Sequence, residues 1–222
     1  MGVLIKICGI NSAETADAAA RAGADFVGLN FHPASPRHLK LDIARALAER
    51  LRGRVQLVAV LADATDETIA GTIAAAAPDF LQLHGRETPA RVAEIRARFG
   101  KPVIRAMAIA DASDFANAAA YEQSADMMMY DAKAPDGAPR PGGHGVAFDW
   151  QLLRGRSFAR PWLLAGGLSP ENVARAIRSS GAPGVDVSSG VETAPGVKSA
   201  EKIAAFVSAA RAAQYSTSEE RA

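Results

Sequence analysis

Short, mostly apolar runs of four to six residues recur along the chain, separated by longer helix-like segments. The runs predict strands at Leu4–Cys8, Phe26–Phe31, Gln56–Leu61, Phe80–Leu83, Val103–Ala106, Met127–Asp131, Trp162–Ala165 and Val185–Ser188. Successive starts lie 22 to 35 residues apart, which is room for a crossover helix and two turns. The runs are apolar nearly throughout rather than alternating, as parallel strands covered on both faces require.

The intervening segments carry helix punctuation. Asn11 and Glu14 have the spacing of a capping pair, and the helix they open ends near Gly23. Thr65-Asp66-Glu67 opens an alanine-rich helix that Pro78 follows. Ser169-Pro170-Glu171 places a cap, a first-turn proline and an acid where the helix dipole favours one; that helix stops at Gly181. Eight strand–helix units with no linker predict a single-domain α/β protein, a (β/α)8 TIM barrel over residues 1–211. A doubly wound open sheet is the weaker alternative, because no dinucleotide fingerprint accompanies the units. Residues 212–222 read as a polar, frayed tail. The irregular stretch Lys133 to Val146 follows the sixth strand, and reads either as a tolerated insertion or as a mobile substrate cover.

Composition narrows the class. A formal net charge of +1 offers no global field for nucleic acid or an anionic membrane. No apolar stretch approaches the ~20 residues of a membrane span, and the N-terminus lacks a signal-peptide pattern. A single cysteine excludes an internal disulfide framework and fits a reducing, cytoplasmic compartment. The four histidines show no metal-ligand spacing, so no metal site is expected.

On a barrel, chemistry gathers at the C-terminal ends of the strands. Those positions hold Cys8, Arg37, His84, Arg105, Asp131, Gly166-Gly167 and the stretch Asp186 to Gly190. Cys8, the lone thiol, ends the first strand; buried packing is the commoner use of cysteine. Gly166 and Gly167 after strand seven pair with Ser188, Ser189 and Gly190 after strand eight. Small residues there let backbone N–H groups converge on a phosphate, and barrels favour these two loops for it. Asp131 is a helix cap, a partner for Lys133, or a site acid. Arg37, on the stiffened turn Ser35-Pro36-Arg37, is either solvated or a fork for a ligand carboxylate. His84 reads as a packed or supporting histidine before a catalytic one, and Met127, Met128 and Met129 read as packing.

Six segments together resemble one family: Lys6-Ile7-Cys8-Gly9-Ile10, Ser35-Pro36-Arg37, Leu81-Gln82-Leu83-His84-Gly85, Asp131-Ala132-Lys133, Leu164-Ala165-Gly166-Gly167-Leu168, and the stretch Gly184 to Glu192. They resemble phosphoribosylanthranilate isomerases, in the family's order and over nearly the whole chain. The resemblance implies a (β/α)8 fold and an Amadori rearrangement of N-(5-phosphoribosyl)anthranilate in tryptophan biosynthesis, without a cofactor. It implies Cys8 as general base, Asp131 as general acid, Arg37 on the anthranilate carboxylate, Asp186 near the reacting sugar and the two small-residue loops on the phosphate. It further implies a small phosphorylated substrate as the partner, with the protein a monomer or homodimer. Two other readings are weaker. A histidine-pathway isomerase would carry an acid pair where Cys8 stands, and a non-catalytic phosphate binder would have no reason to keep both Cys8 and Asp131.

Overall fold

The computed structural model describes residues 2–133 and 149–219 and is a closed barrel of eight parallel strands in the order β1 to β8. The strands are β1 Leu4–Cys8, β2 Phe26–Asn30, β3 Gln56–Leu61, β4 Phe80–Leu83, β5 Val103–Ile109, β6 Met127–Ala132, β7 Trp162–Leu164 and β8 Gly184–Val187. Around them lie helices α1 Ala13–Ala22, α2 Leu41–Leu51, α3 Asp66–Ala76, α4 Pro89–Phe99, α5 Asp114–Ala119, α6 Val173–Ser180 and α7 Ala200–Glu219. Between β6 and β7 the described residues hold a short 3-10 turn, Trp150–Leu153. A two-stranded hairpin, β9 Glu192–Ala194 and β10 Val197–Lys198, stands between β8 and α7. No helix among the described residues is long and apolar enough to cross a membrane.

Strand alternation divides the buried residues into two cores. Cys8, Phe26, Val58, Val60, Ile104, Ala106, Met127, Met129, Leu163 and Ala165 fill the barrel interior. The residues between them face the helices: Ile5, Ile7, Val27, Leu29, Met128 and Tyr130 belong to the larger outer core. The methionine run is therefore packing, as read from the sequence, but on both sides of the sheet. Tyr130 lies among Phe115, Phe158 and Trp162 at ring-centroid distances of 5.5, 4.9 and 5.6 Å.

One local device recurs at the N-terminal rim. Asp25, Asp79 and Asp126 each stand one residue before an even-numbered strand. Each carboxylate accepts the backbone N–H near the start of the strand before it: Ile5, Leu57 and Val103, at 2.7, 2.7 and 2.9 Å. These N–H groups sit where the ladder has not yet begun, so the side chain satisfies a donor that would otherwise be orphaned. Asp79→Ala should accordingly cost about 1–3 kcal/mol of stability, read as a lower urea midpoint. Turnover of the folded variant should be unchanged, because this rim is opposite the strands' C-terminal ends.

Helix starts differ from expectation by a few residues. Ser12, not Asn11, caps α1 by accepting from Thr15 N, while Asn11 donates instead to Gly196 O at 2.8 Å. The regular part of α6 begins at Val173 after a turn, with Asn172 at its cap in place of Ser169. α7 runs to Glu219. The stretch Lys133 to Val146, read as an insertion or a substrate cover, lies outside the described residues except for Lys133.

Candidate active site

Alternation on β1 sends Lys6 and Cys8 to the same interior face. Lys6 is fully buried, and its Nζ donates to Asp186 Oδ1 of β8 at 2.7 Å. The two residues are direct register partners across β1 and β8. Gly28 is Cys8's register partner on β2; a Cβ there would stand 3.0 Å from Cys8 Sγ and 3.2 Å from Lys6 Nζ. A glycine is what leaves room for the thiol and the ammonium to converge on one place. Burial pushes the Cys8 thiol up; the Lys6 ammonium opposes that, Asp186 adds to it, and Lys198 opposes it more weakly. The thiol ends above its ordinary range. For Lys6, burial would lower the value, but Asp186 and then Cys8 outweigh it, leaving Lys6 above the ordinary lysine range.

Asp131 lies on the same inner face of β6, separated from β1 by β7 and β8. It is buried, and its Oδ2 is 3.3 Å from His84 Nε2 at the end of β4. His84 thus faces the acid rather than the outer core. Gly166 abuts the acid from β7, where a Cβ would stand 3.0 Å from Asp131 Oδ1. Arg105 does not belong to this group. β5 runs to Ile109, so Arg105 lies within the strand, and its guanidinium bonds Leu83 O, Gly85 O and Glu87.

Arg37 is placed by a turn in which its N–H donates to Ser35 Oγ and Leu39 N returns to Asn30 O at the end of β2. Its aliphatic stem crosses directly over Gly9, the residue after Cys8. Gly9 has φ +79°, and a Cβ there would collide with Arg37 Cδ. This explains a glycine after the thiol on two counts, backbone and side chain. The guanidinium is buried, and its Nε and Nη2 donate to Glu192 Oε1 and Oε2 at 2.6 and 2.8 Å. Glu192 also accepts from Lys198 Nζ at 2.7 Å, and Lys198 Nζ bonds Ser188 O at 2.9 Å. Burial alone would raise Glu192, but Arg37 and Lys198 hold it below the ordinary glutamate range. For Lys198 burial wins over Glu192 and leaves it below the ordinary lysine range. Sequence reading at strand ends misses Glu192 and Lys198, which lie beyond β8. The available signal is the turn Pro195-Gly196 flanked by opposite charges, which makes Glu192 and Lys198 register partners in the hairpin.

The two small-residue loops pack on each other. Gly190 sits directly against Leu168 O, and Asn172 ties the first loop by donating to Gly167 O and accepting from Ser169 N, both at 2.8 Å. Ser188 Oγ donates to Cys8 O at 3.1 Å, so the second loop is anchored on the strand that carries the thiol. Cys8, Lys6, Asp186 and Ser188 therefore form one connected group; Arg37, Glu192 and Lys198 form a second that meets it at Ser188. Asp131 with His84 and Gly166 forms a third group across the barrel.

A closed parallel barrel with its buried acid, thiol and cations at the C-terminal ends of the strands defines a (β/α)8 enzyme. Comparison with known proteins narrows that class. The family profile described as N-(5'-phosphoribosyl)anthranilate (PRA) isomerase matches residues 5–209. The N-(5'-phosphoribosyl)anthranilate isomerase of Rhodopseudomonas palustris strain HaA2 is 50% identical over 214 residues, covering 96% of this chain and 98% of that protein. The crystal structure of phosphoribosylanthranilate isomerase from Thermotoga maritima superposes with TM-score 0.85 at 36% identity, covering 95% of this chain and 99% of that one. A further solved PRA isomerase, in complex with reduced 1-(o-carboxyphenylamino)-1-deoxyribulose 5-phosphate, gives TM-score 0.81 at 33% identity, with coverage of 95% and 99%. The chain belongs to the PRA isomerase family, the isomerases of tryptophan biosynthesis.

Proposed function

We propose that this barrel converts N-(5-phosphoribosyl)anthranilate to 1-(2-carboxyphenylamino)-1-deoxyribulose 5-phosphate with Asp131 as general acid and Cys8 as general base. The observation that carries the reading is that two proton-transfer groups of different kinds, a carboxyl and a thiol, are buried on the inner face of one barrel mouth. Asp131 delivers a proton to the furanose oxygen as the C1′–O bond breaks. The amine lone pair then forms the C1′=N iminium. Cys8, as thiolate, removes the C2′ hydrogen, and those electrons form the C1′=C2′ enolamine and neutralise the nitrogen. Protonation at C1′ with loss of the C2′ hydroxyl proton gives the ketone, so no redox partner is required.

The other candidate residues take the remaining parts of the substrate. Arg37 anchors the anthranilate carboxylate, Asp186 lies toward the reacting sugar, and Gly166, Gly167, Ser188, Ser189 and Gly190 hold the phosphate. The contact between the two loops supports this last assignment, since it lets both present N–H groups to one dianion.

The test is turnover of purified protein, followed as loss of anthranilate fluorescence and confirmed by isolating the aminoketose 5-phosphate. Wild-type protein should turn substrate over, and deuterium at C2′ should slow it if proton removal limits the rate. Absence of product overturns the reading. Arg37→Met should raise the Michaelis constant about tenfold or more with a much smaller change in kcat, as loss of a charge-assisted fork predicts. An unchanged Michaelis constant would remove Arg37 from the substrate site.

A further inference from the structure

We propose that Glu192 is a positioning residue for substrate recognition: it fixes which edge of the Arg37 guanidinium is left for the anthranilate carboxylate. The inference rests on the reading of Arg37 as the carboxylate anchor, and deepens it.

A guanidinium carries five N–H donors in a planar fork. Glu192 takes the side-on edge, one hydrogen on Nε and one on Nη2. Among the described residues nothing else bonds Nη1. What remains is the end-on pair, one hydrogen each from Nη1 and Nη2, a second bidentate edge for a planar carboxylate. The stem is meanwhile confined over Gly9, so the guanidinium cannot swing to present its other edge without losing the Glu192 pair.

Glu192 is itself held on three sides. Lys198 Nζ donates to Oε1 at 2.7 Å, and Gly196 N donates to Oε2 at 3.2 Å. The Gly196 turn rests against Pro36 O, beside Arg37 in sequence, and is tied to β1's loop by the Asn11 bond. Loops after β1, β2 and β8 thus meet at one carboxylate, whose own charge is neutralised by two cations. A buried carboxylate with this many fixed donors is preorganised, and so is the arginine it holds. A purely architectural ion pair would use the same bonds, so the test must separate the two roles.

The test measures binding of two unreactive ligands: the reduced aminoketose 5-phosphate with its ring carboxylate, and the aniline counterpart without it. Wild type, Glu192→Gln, Glu192→Asp and Arg37→Met are compared by calorimetry. Glu192→Gln should weaken the carboxylated ligand about tenfold, roughly one 1.4 kcal/mol step, and the aniline counterpart by about twofold or less. Glu192→Asp keeps both cations paired but withdraws the carboxylate by one methylene. It should show the same selectivity at smaller amplitude, and it decides the matter if the glutamine variant does not fold. Equal weakening of both ligands would overturn the proposal and leave Glu192 an architectural residue. If Arg37→Met fails to discriminate between the ligands, the assignment of Arg37 falls. If Arg37→Met discriminates and neither Glu192 variant does, the present inference falls alone.

Discussion

Cys8→Ser is expected to lose roughly two to four orders of magnitude in kcat, the usual span for removing a general acid–base group. Serine keeps the shape of the side chain in a place where Gly28 allows little change, so folding should be unaffected. Its hydroxyl, however, is far too weak an acid to exist as the anion that must remove the C2′ hydrogen. Asp131→Asn is expected to lose as much for the opposite reason: the amide fills the place beside His84 but cannot deliver a proton to the ring oxygen. The two losses differ in where the reaction stops. With Cys8→Ser the ring still opens, so cyanoborohydride should trap the open-chain iminium as a reduced amine. With Asp131→Asn the ring stays closed and no trapped species should form. Wild-type turnover in either variant would sink the corresponding role, and trapping in Asp131→Asn but not in Cys8→Ser would exchange the two roles.

That both proposed residues stand out in the sequence has a structural cause. A parallel barrel exposes chemistry only at strand ends, and β1, β3 and β4 have the predicted bounds because their apolar runs are bracketed by turn residues or charges. Where the run has no such bracket, the end is displaced: β5 continues through Met107, Ala108 and Ile109, which turns Arg105 from a strand-end candidate into a residue within the wall. Caps are misplaced for a related reason. Asn11 and Ser12 are both good capping residues, and the choice is made by the hairpin's Gly196, which accepts the Asn11 side chain from 185 residues away. The same distance in sequence hides the ion pairs. Lys6 with Asp186 and Arg37 with Glu192 are separated by 180 and 155 residues, and only closure of the barrel brings them together. An arginine on a proline turn reads in the sequence as solvated or as a fork for a ligand; in the fold two of its five donors are already taken by Glu192. Local chemistry is legible from local pattern, whereas pairing of buried charges is decided by register.

Lys6→Met should act on both stability and rate. The methionine fits the volume of the lysine stem, but Asp186 is left as an unpaired charge at the barrel's inner face, which typically costs about 3–5 kcal/mol. The Lys6 value lies above its ordinary range in the fold, so its contribution is complete below about pH 10.4 and is lost as pH rises through the folded value. Urea unfolding of wild type and variant should therefore differ most at neutral pH and converge in strong alkali. The effect on rate runs through the thiol. Burial already holds Cys8 above its ordinary range with Lys6 as the main opposing cation, so removing that cation moves the thiol higher still. Because only the thiolate can act as base, kcat/KM should rise with pH in both proteins, and the variant's rise should be displaced to higher pH. At neutral pH the variant should be about tenfold slower or more, because a smaller fraction of the thiol is ionised. Adding Asp186→Leu to Lys6→Met should recover much of the stability, which isolates the ion pair's part in folding. Iodoacetamide alkylation of Cys8 reads the thiolate directly; superimposable pH profiles for wild type and Lys6→Met would show that Lys6 holds the barrel together and leaves the thiol alone.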